Sequence, residues 1–262
     1  DIFVAVPSMY GALLSVKNAS AEYFASLRVA VAAVEALLVA VHQQCLERFN
    51  VRILEGYGLT ETSPVTHWST LDAYKHRAVG RPLPGVRQFI VDEHDQLLGP
   101  DEEGEILLHG PNVMPGYYHL PELTSEEVTE IIPPGESQAL RFFRTGDMGR
   151  IEANGFLFIT GRKKEMLIIG GENVFPREIE EVLNQHPDVH ASAVIGETDS
   201  MRGEVPVAFV EMEADKTFDA TSLRSHCREH LAGYKVPRQI HQMETLPRSP
   251  TGKILRRKLR SE

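Results

Sequence analysis

Apolar residues fall into three textures along the chain. In residues 1–77 short apolar runs alternate with helically spaced ones. "IFVAV" reads as a buried strand ended by Pro7, and "LRVAVAAV" as a second strand. Behind it Val41, Cys45, Leu46 and Phe49 recur at helical spacing in "LLVAVHQQCLERF", and "VRILEGYG" returns to strand and turn. Alternation of this kind predicts a sheet with helices packed on it.

Residues 78–161 read differently. "GVRQFIVDE", "GEILLHG" and "GFLFIT" are short β-like runs divided by Gly, Pro, Asn and Asp, which predicts an antiparallel sheet or small barrel. "TSEEVTEIIPPGESQ" predicts a surface helix and then a loop, the helix entered through a Thr-x-x-Glu start. From 162 to 262 a third texture begins: "MLIIGG" is strand and turn, and "PREIEEVLNQH" is a helix with Pro176 in its first turn and Ile179, Val182 and Leu183 on one face. Strands "VHASAVIG" and "VPVAFVEME" and a helix through Leu223, Cys227 and Leu231 complete a compact α+β unit. The expected fold class is therefore α/β followed by α+β, with domains at 1–161 (1–77 α/β, 78–161 β-rich) and 162–262.

Charge narrows the possible functions. The 262 residues carry a formal net charge of −10, and the dense basic cluster is confined to the last dozen, so a general nucleic-acid binder is disfavoured. That cluster, "ILRRKLR", predicts a solvated basic helix. Cys45 and Cys227 stand far apart and without metal-ligand spacing, which suggests no disulfide framework or zinc site and fits a cytoplasmic setting. The longest apolar run, 29–41, is interrupted by Glu35 and is too short to cross a bilayer, so no transmembrane segment is expected. The chain opens in a strand pattern without Met, which suggests that Asp1 lies inside a domain.

Two glycine-rich signals fail as nucleotide loops. "TGK" (251–253) lacks the Gly five positions ahead of its own Gly, where Pro247 stands, and has Ile254 in place of Ser or Thr. "GYGLTE" has Glu61 where a dinucleotide fingerprint needs its third Gly.

Four longer segments in fixed order say more: "EGYGLTETSP" (55–64), "FFRTGDMG" (142–149), "GRKKEMLIIGGENVFPREIEEVL" (161–183) and "PRSPTGKILRR" (247–257). Together with "RAVGRPLPGV" and "GPNVMPGYY" they resemble the signatures of the adenylate-forming superfamily: acyl-CoA synthetases, peptide-synthetase adenylation domains and beetle luciferases. By that resemblance the chain looks like the C-terminal half of such an enzyme, the end of its large domain (an α/β layer plus a small antiparallel barrel) and the whole small mobile domain. The activity implied is an acid–CoA ligase, most similar to fatty-acid CoA ligases, using ATP, Mg²⁺ and coenzyme A. A homodimer is an assembly compatible with it. Transfer to a carrier protein, or a catalytically silent nucleotide-binding fragment, are the alternatives.

The resemblance also assigns residues. Lys253 corresponds to a catalytic lysine delivered to the α-phosphate, where a compact ammonium on a flexible stem suits several oxygens. Glu61 corresponds to the Mg²⁺ ligand and Thr60 to a phosphate contact. Tyr57 would lie on adenine, with Gly56 and Gly58 permitting close backbone approach. Asp147, held on a turn, would take the ribose hydroxyls, Arg162 would reach the nucleotide, and Lys164 would be the hinge. Gly170 and Gly171 would leave room for the thiol arm. Read singly, the same residues are a surface turn (60–61), packing (Tyr57), a cap (Asp147), an exposed linker (161–165) and a hairpin turn (170–171).

Two departures stand out. The resemblance implies an upstream Ser/Thr/Gly-rich, Lys-containing loop for the β- and γ-phosphates, and these residues include none. Where family members show a bare glycine turn beside adenine, this chain has Ala32, Ala33, Val34 and Glu35, so an altered pocket is expected.

Overall fold

The computed structural model describes residues 1–33, 37–250 and 252–259. Val34 and Glu35, where the bare turn is replaced, lie outside the described residues, as does Thr251. The chain forms two compact units, Asp1–Leu37 with Gln44–Lys163, and Leu38–Gln43 with Lys164–Glu262.

The first unit opens with three parallel strands, β1 (Ile2–Ala5), β2 (Val29–Ala32) and β3 (Ile53–Tyr57), followed by antiparallel β4 (His67–Trp68) and β5 (Arg81–Pro82) in the order β1-β2-β3-β4-β5. Val31 and Ile53 are fully buried, as strands covered on both faces require. The expected burial of "IFVAV" is not met: β1 is an edge strand, and Ile2 and Val4 are exposed. Pro7 does more than end it. It opens helix α1 (Pro7–Ser15), whose first turn suits a locked φ and a missing N–H. Helix α2 (Val39–Phe49) carries Arg48, whose guanidinium accepts no bonds and donates to the carbonyls of Leu14, Val16 and Ala19, satisfying groups that α1 leaves open at its C-terminal end.

The β-rich part is a five-stranded antiparallel sheet of β6 (Arg87–Val91), β7 (Gly104–His109), β8 (Val128–Ile131), β9 (Leu140–Ile151) and β10 (Leu157–Arg162), in the order β10-β9-β7-β6 with β8 on β9. Two expectations are corrected here. The helix α3 is short and lies earlier, at Pro121–Glu126, and "VTEI" is strand β8, whose Val128 and Ile131 pair with Phe143 and Leu140 of β9. "RTGD" is no turn but part of the twelve-residue β9.

The second unit is a sheet of β11 (Leu167–Ile169), β12 (Glu172–Val174), β13 (Val189–Asp199), β14 (Gly203–Met212) and β15 (Gln239–Gln242), ordered β12-β11-β14-β13 with β15 parallel to β14. Helices α4 (Pro176–Leu183) and α5 (Ala220–His230) complete it, the latter capped by Asp219, whose carboxylate accepts from the N–H of Thr221 and of Ser222. Alternation along β13 and β14 divides the core in two. Val194, Ala208 and Val210 pack with Ile179, Leu183 and Cys227, while Ile195 and Val207 pack with Leu246 and Leu259. The C-terminal segment thus lies on the sheet. Among the described residues it is not the expected basic helix: a single 3-10 turn forms, at Arg256–Lys258, and the preceding residues are extended, with an Arg248–Ile254 bridge and a 2.7 Å bond from Leu255 N to Pro247 O.

Candidate active site

Strand β3 brings Tyr57 to its C-terminal end, the edge of a parallel sheet where ligands gather. The glycines beside it answer to the chain's own packing. A Cβ at Gly56 would lie 2.9 Å from the Trp68 ring across the β3–β4 ladder, and one at Gly58 would lie 1.9 Å from the Pro64 carbonyl oxygen. Tyr57 is buried, and its hydroxyl donates a 2.7 Å bond to Asp147 Oδ2. Burial, with the Asp147 charge beside it, pushes the phenol far above its ordinary value, so it remains a donor.

Asp147 reaches this place through two irregularities of β9. Against β7 the register slips between Glu105–Met148 and Leu107–Arg144, giving β9 extra residues around Gly146, which takes φ 66°. Thr145 Oγ1 donates to Ile106 O at 2.8 Å, supplying a bond that the distorted ladder lacks. Against β10 a bulge between Ile159 and Gly161 sets Arg162 opposite Asp147, with Nε 3.2 Å from Oδ1. Tyr57, Asp147 and Arg162 are therefore brought together. The carboxylate of Asp147 is thus held on one side by the phenol that donates to Oδ2 and on the other by the guanidinium beside Oδ1.

Glu61 and Thr60 lie on a 3-10 turn, Thr60–Thr62, just beyond β3. Thr60 is exposed; Glu61 is half-buried, and its Oε1 accepts a 3.0 Å bond from the Tyr117 hydroxyl. Burial and the Glu61 carboxylate push that phenol up to about 12. A lone carboxylate oriented in this way fits Mg²⁺, which keeps most of its waters and takes few protein ligands. Among the described residues no group of three or more His, Cys, Asp or Glu stands ready as a metal cage.

Residues that the sequence did not single out hold this turn. Asn112 Nδ2 donates to the carbonyls of Thr62 and Val65, and Thr66 Oγ1 donates to Tyr57 O at 3.1 Å. His67, wholly buried, lies between Thr66 Oγ1 (2.9 Å) and Gln88 Oε1 (2.7 Å). Gln88 Nε2 donates to Gly155 O, so its oxygen faces the ring and His67 Nε2 carries the hydrogen, which leaves His67 Nδ1 and the Tyr57 carbonyl to share the single hydroxyl hydrogen of Thr66. Burial drives the His67 pKa down to about 4.

Lys164 follows Lys163, the last residue of the first unit. Lys163 Nζ binds the buried Glu105 at 2.8 Å within its unit, and Glu165 binds Arg256 at 2.9 Å within the other. Gly170 and Gly171 form the two-residue β11–β12 hairpin with φ 61° and 90°, which a primed turn requires, and a Cβ on either would meet nothing within 4 Å. Lys253 is exposed on a hairpin described below.

A family model described as AMP-binding enzyme matches residues 1–118, and one described as AMP-binding enzyme C-terminal domain matches 178–253. A long-chain-fatty-acid–CoA ligase of Salmonella typhimurium is 37% identical over 98% of this chain and 44% of its own length. A sulfoacetate–CoA ligase of Cupriavidus necator is 36% identical over 97% of this chain and 48% of its own. Among solved structures, ATP-bound MatB from Rhodopseudomonas palustris superposes with a TM-score of 0.89 at 32% identity, covering 99% of this chain and 50% of that one. The chain thus spans about half the length of the curated relatives it matches. Among the described residues no helix is long and apolar enough to cross a membrane.

Proposed function

The chain belongs to the AMP-binding enzyme family, and from that premise we propose that its protein is an ATP-dependent acid–CoA ligase. In the first half-reaction a carboxylate oxygen attacks the α-phosphorus of ATP, the bond to the bridging oxygen breaks, and pyrophosphate leaves. In the second, the thiol of coenzyme A attacks the acyl carbon of the adenylate, loses its proton, and AMP leaves. The observation that carries this reading is the Tyr57–Asp147–Arg162 cluster at the end of β3, in which a buried carboxylate is held between a buried phenol and an exposed guanidinium.

Asp147 holds the ribose hydroxyls, and Arg162 stands beside it to meet the nucleotide. Glu61 would hold Mg²⁺, which when bound supplies positive charge at the phosphates, and Thr60 offers them a hydroxyl. Lys253 neutralises charge gathering between carboxylate and α-phosphate, an arrangement in which electrostatic stabilisation is the largest contribution. Lys164 is the hinge by which residues 162–262 exchange two catalytic poses, and the Gly170–Gly171 turn admits the thiol arm. We take the acid to be a fatty acid, a choice favoured by the Salmonella relative; the sulfoacetate relative of similar identity makes graded acids the necessary screen.

In the full-length protein, Lys253→Ala should lower ATP–pyrophosphate exchange at least about 100-fold and leave conversion of a supplied acyl-adenylate nearly intact. Equal loss in both half-reactions would refute the role of Lys253, and absence of exchange with every acid tried in the parent protein would refute the ligase.

A further inference from the structure

Lys253 lies between two arginines that are only partly exposed, with 29% and 25% of their side-chain surfaces open. Arg248, five residues before it, spreads Nη1 and Nη2 over the two oxygens of Glu211 at 2.7 and 2.5 Å. Arg256, three residues after it, places Nε and Nη2 on the two oxygens of Glu180 at 2.9 and 2.6 Å and Nη1 on Glu165. Both receiving carboxylates are buried and themselves tied to backbone. Glu211, on β14, accepts from Leu246 N at 2.6 Å, and Glu180, on α4, accepts from Val194 N of β13 at 2.8 Å.

The strands between these anchors pair with each other. Ser249 N donates to Lys253 O at 2.8 Å, Lys253 N donates to Ser249 Oγ at 3.1 Å, and Gly252 takes φ 92°. Leu246 and Leu259 are buried beyond the two arginines. The exposed lysine therefore stands where the chain leaves the turn after Ser249, in a segment whose two ends are fixed, through planar two-oxygen contacts, to strand β14 and helix α4. Burying four charges is poor economy for stability alone, because apolar residues of equal volume commonly serve as well or better. Planar bidentate pairs do fix direction.

We infer that the Arg248–Glu211 and Arg256–Glu180 pairs are a two-point clamp that sets where the hairpin presents Lys253, which makes Arg248 and Arg256 positioning residues for adenylate formation. This rests on the ligase reading above. A lysine at 248 keeps the charge and reaches the carboxylate but cannot span both oxygens, so it separates neutralising Glu211 from aiming the hairpin.

The test uses the full-length protein with Lys253→Ala, Arg248→Ala, Arg248→Lys, Arg256→Lys and the Lys253→Ala/Arg248→Ala double variant, measuring melting temperature, ATP–pyrophosphate exchange and thioester formation from supplied acyl-adenylate. Arg248→Lys should melt close to the parent yet exchange about tenfold more slowly, since a small misplacement of a reacting group is felt strongly, while its thioester step stays within about twofold. Arg256→Lys should behave alike. Adding Arg248→Ala to Lys253→Ala should lower exchange no further, because a clamp has nothing left to position. Parental exchange in both lysine variants, or equal slowing of both half-reactions, would overturn the clamp while an inactive Lys253→Ala left the ligase reading standing. Parental exchange in Lys253→Ala would overturn that reading and the clamp with it.

Discussion

Tyr57 and Asp147 meet from two buried strands, whereas Lys253 stands exposed on a hairpin fixed at its ends by two ion pairs. In the first region each side chain takes its position from a strand paired on one side of it, His67 opposite Tyr57 and Arg162 opposite Asp147, and even the absence of side chains at Gly56 and Gly58 is enforced by neighbouring atoms. In the second, position depends on four charged groups and two leucines. A site built the first way moves only if its sheet deforms. One built the second way is fixed wholly within its own unit, by ion pairs to β14 and α4.

The largest expected effect tests the first half of that contrast. Gly58→Ala would push a Cβ to 1.9 Å from Pro64 O and 2.7 Å from its carbon, so backbone must shift. A loss of about 3–5 kcal/mol is expected, which for a unit of this size lowers its melting temperature by roughly 10 °C. Calorimetry that resolves two transitions should show the loss in the unit containing β3 and none in the other. A shift below about 2 °C would mean that the turn after Tyr57 yields easily, and the contrast would fail.

Why the two regions differed in legibility follows from the same physics. The two helices of the second unit were readable because Ile179, Val182 and Leu183, or Leu223 and Cys227, repeat at helical spacing. The long β9 was not, because its centre, Arg144–Thr145–Gly146–Asp147, looks like turn chemistry, and a bulge uses the same residues. Asp147, Tyr57 and Arg162 could be named from their motifs, but no local pattern says that a bulge at Thr160 will align two of them across a ladder. The basic tail misled for a different reason. Spacing cannot distinguish an arginine in water from one over a buried glutamate, and Glu180 and Glu181 sit inside a helix that reads as amphipathic.

Acid separates the regions by a second, smaller effect. His67 is buried neutral with a pKa of about 4, against about 6.5 in an unfolded chain, so the unfolded state binds more protons between those values and the first unit loses stability as pH falls from 6.5 towards 4. The full shift is worth up to about 3 kcal/mol. In the second unit burial also lowers the His226 pKa, and Glu211 is a further acid-sensitive group: burial works to raise its pKa, but Arg248 and the Leu246 N–H hold it below the ordinary carboxylate value. Its contribution is present above that ordinary value and is lost only as pH falls through the depressed one. Urea unfolding at pH 7, 6, 5 and 4 should therefore weaken the first unit more steeply than the second, because the His67 shift is large enough to reach about 4, and His67→Gln should flatten the slope of the first alone. An unchanged slope in that variant would assign the sensitivity elsewhere.

The smallest effect asks whether the glycines of the second region answer to space or to backbone. Gly170→Ala places its Cβ in the open, so nothing collides, and the penalty is that of holding alanine at φ 61°, about 1 kcal/mol. A hairpin turn and nothing more would show that loss in the second unit's melting and leave both half-reactions at the parental rate once the protein is folded. A path for the thiol arm adds a kinetic signature: slower thioester formation from supplied acyl-adenylate, with a raised requirement for coenzyme A and unchanged ATP–pyrophosphate exchange. We expect the second pattern, because two adjacent glycines with no atom near their missing side chains leave bare backbone facing outward as well as satisfying the turn. Serine at the same position, larger by one hydroxyl at nearly the same φ penalty, should deepen the kinetic loss while leaving the melting temperature close to that of the alanine variant.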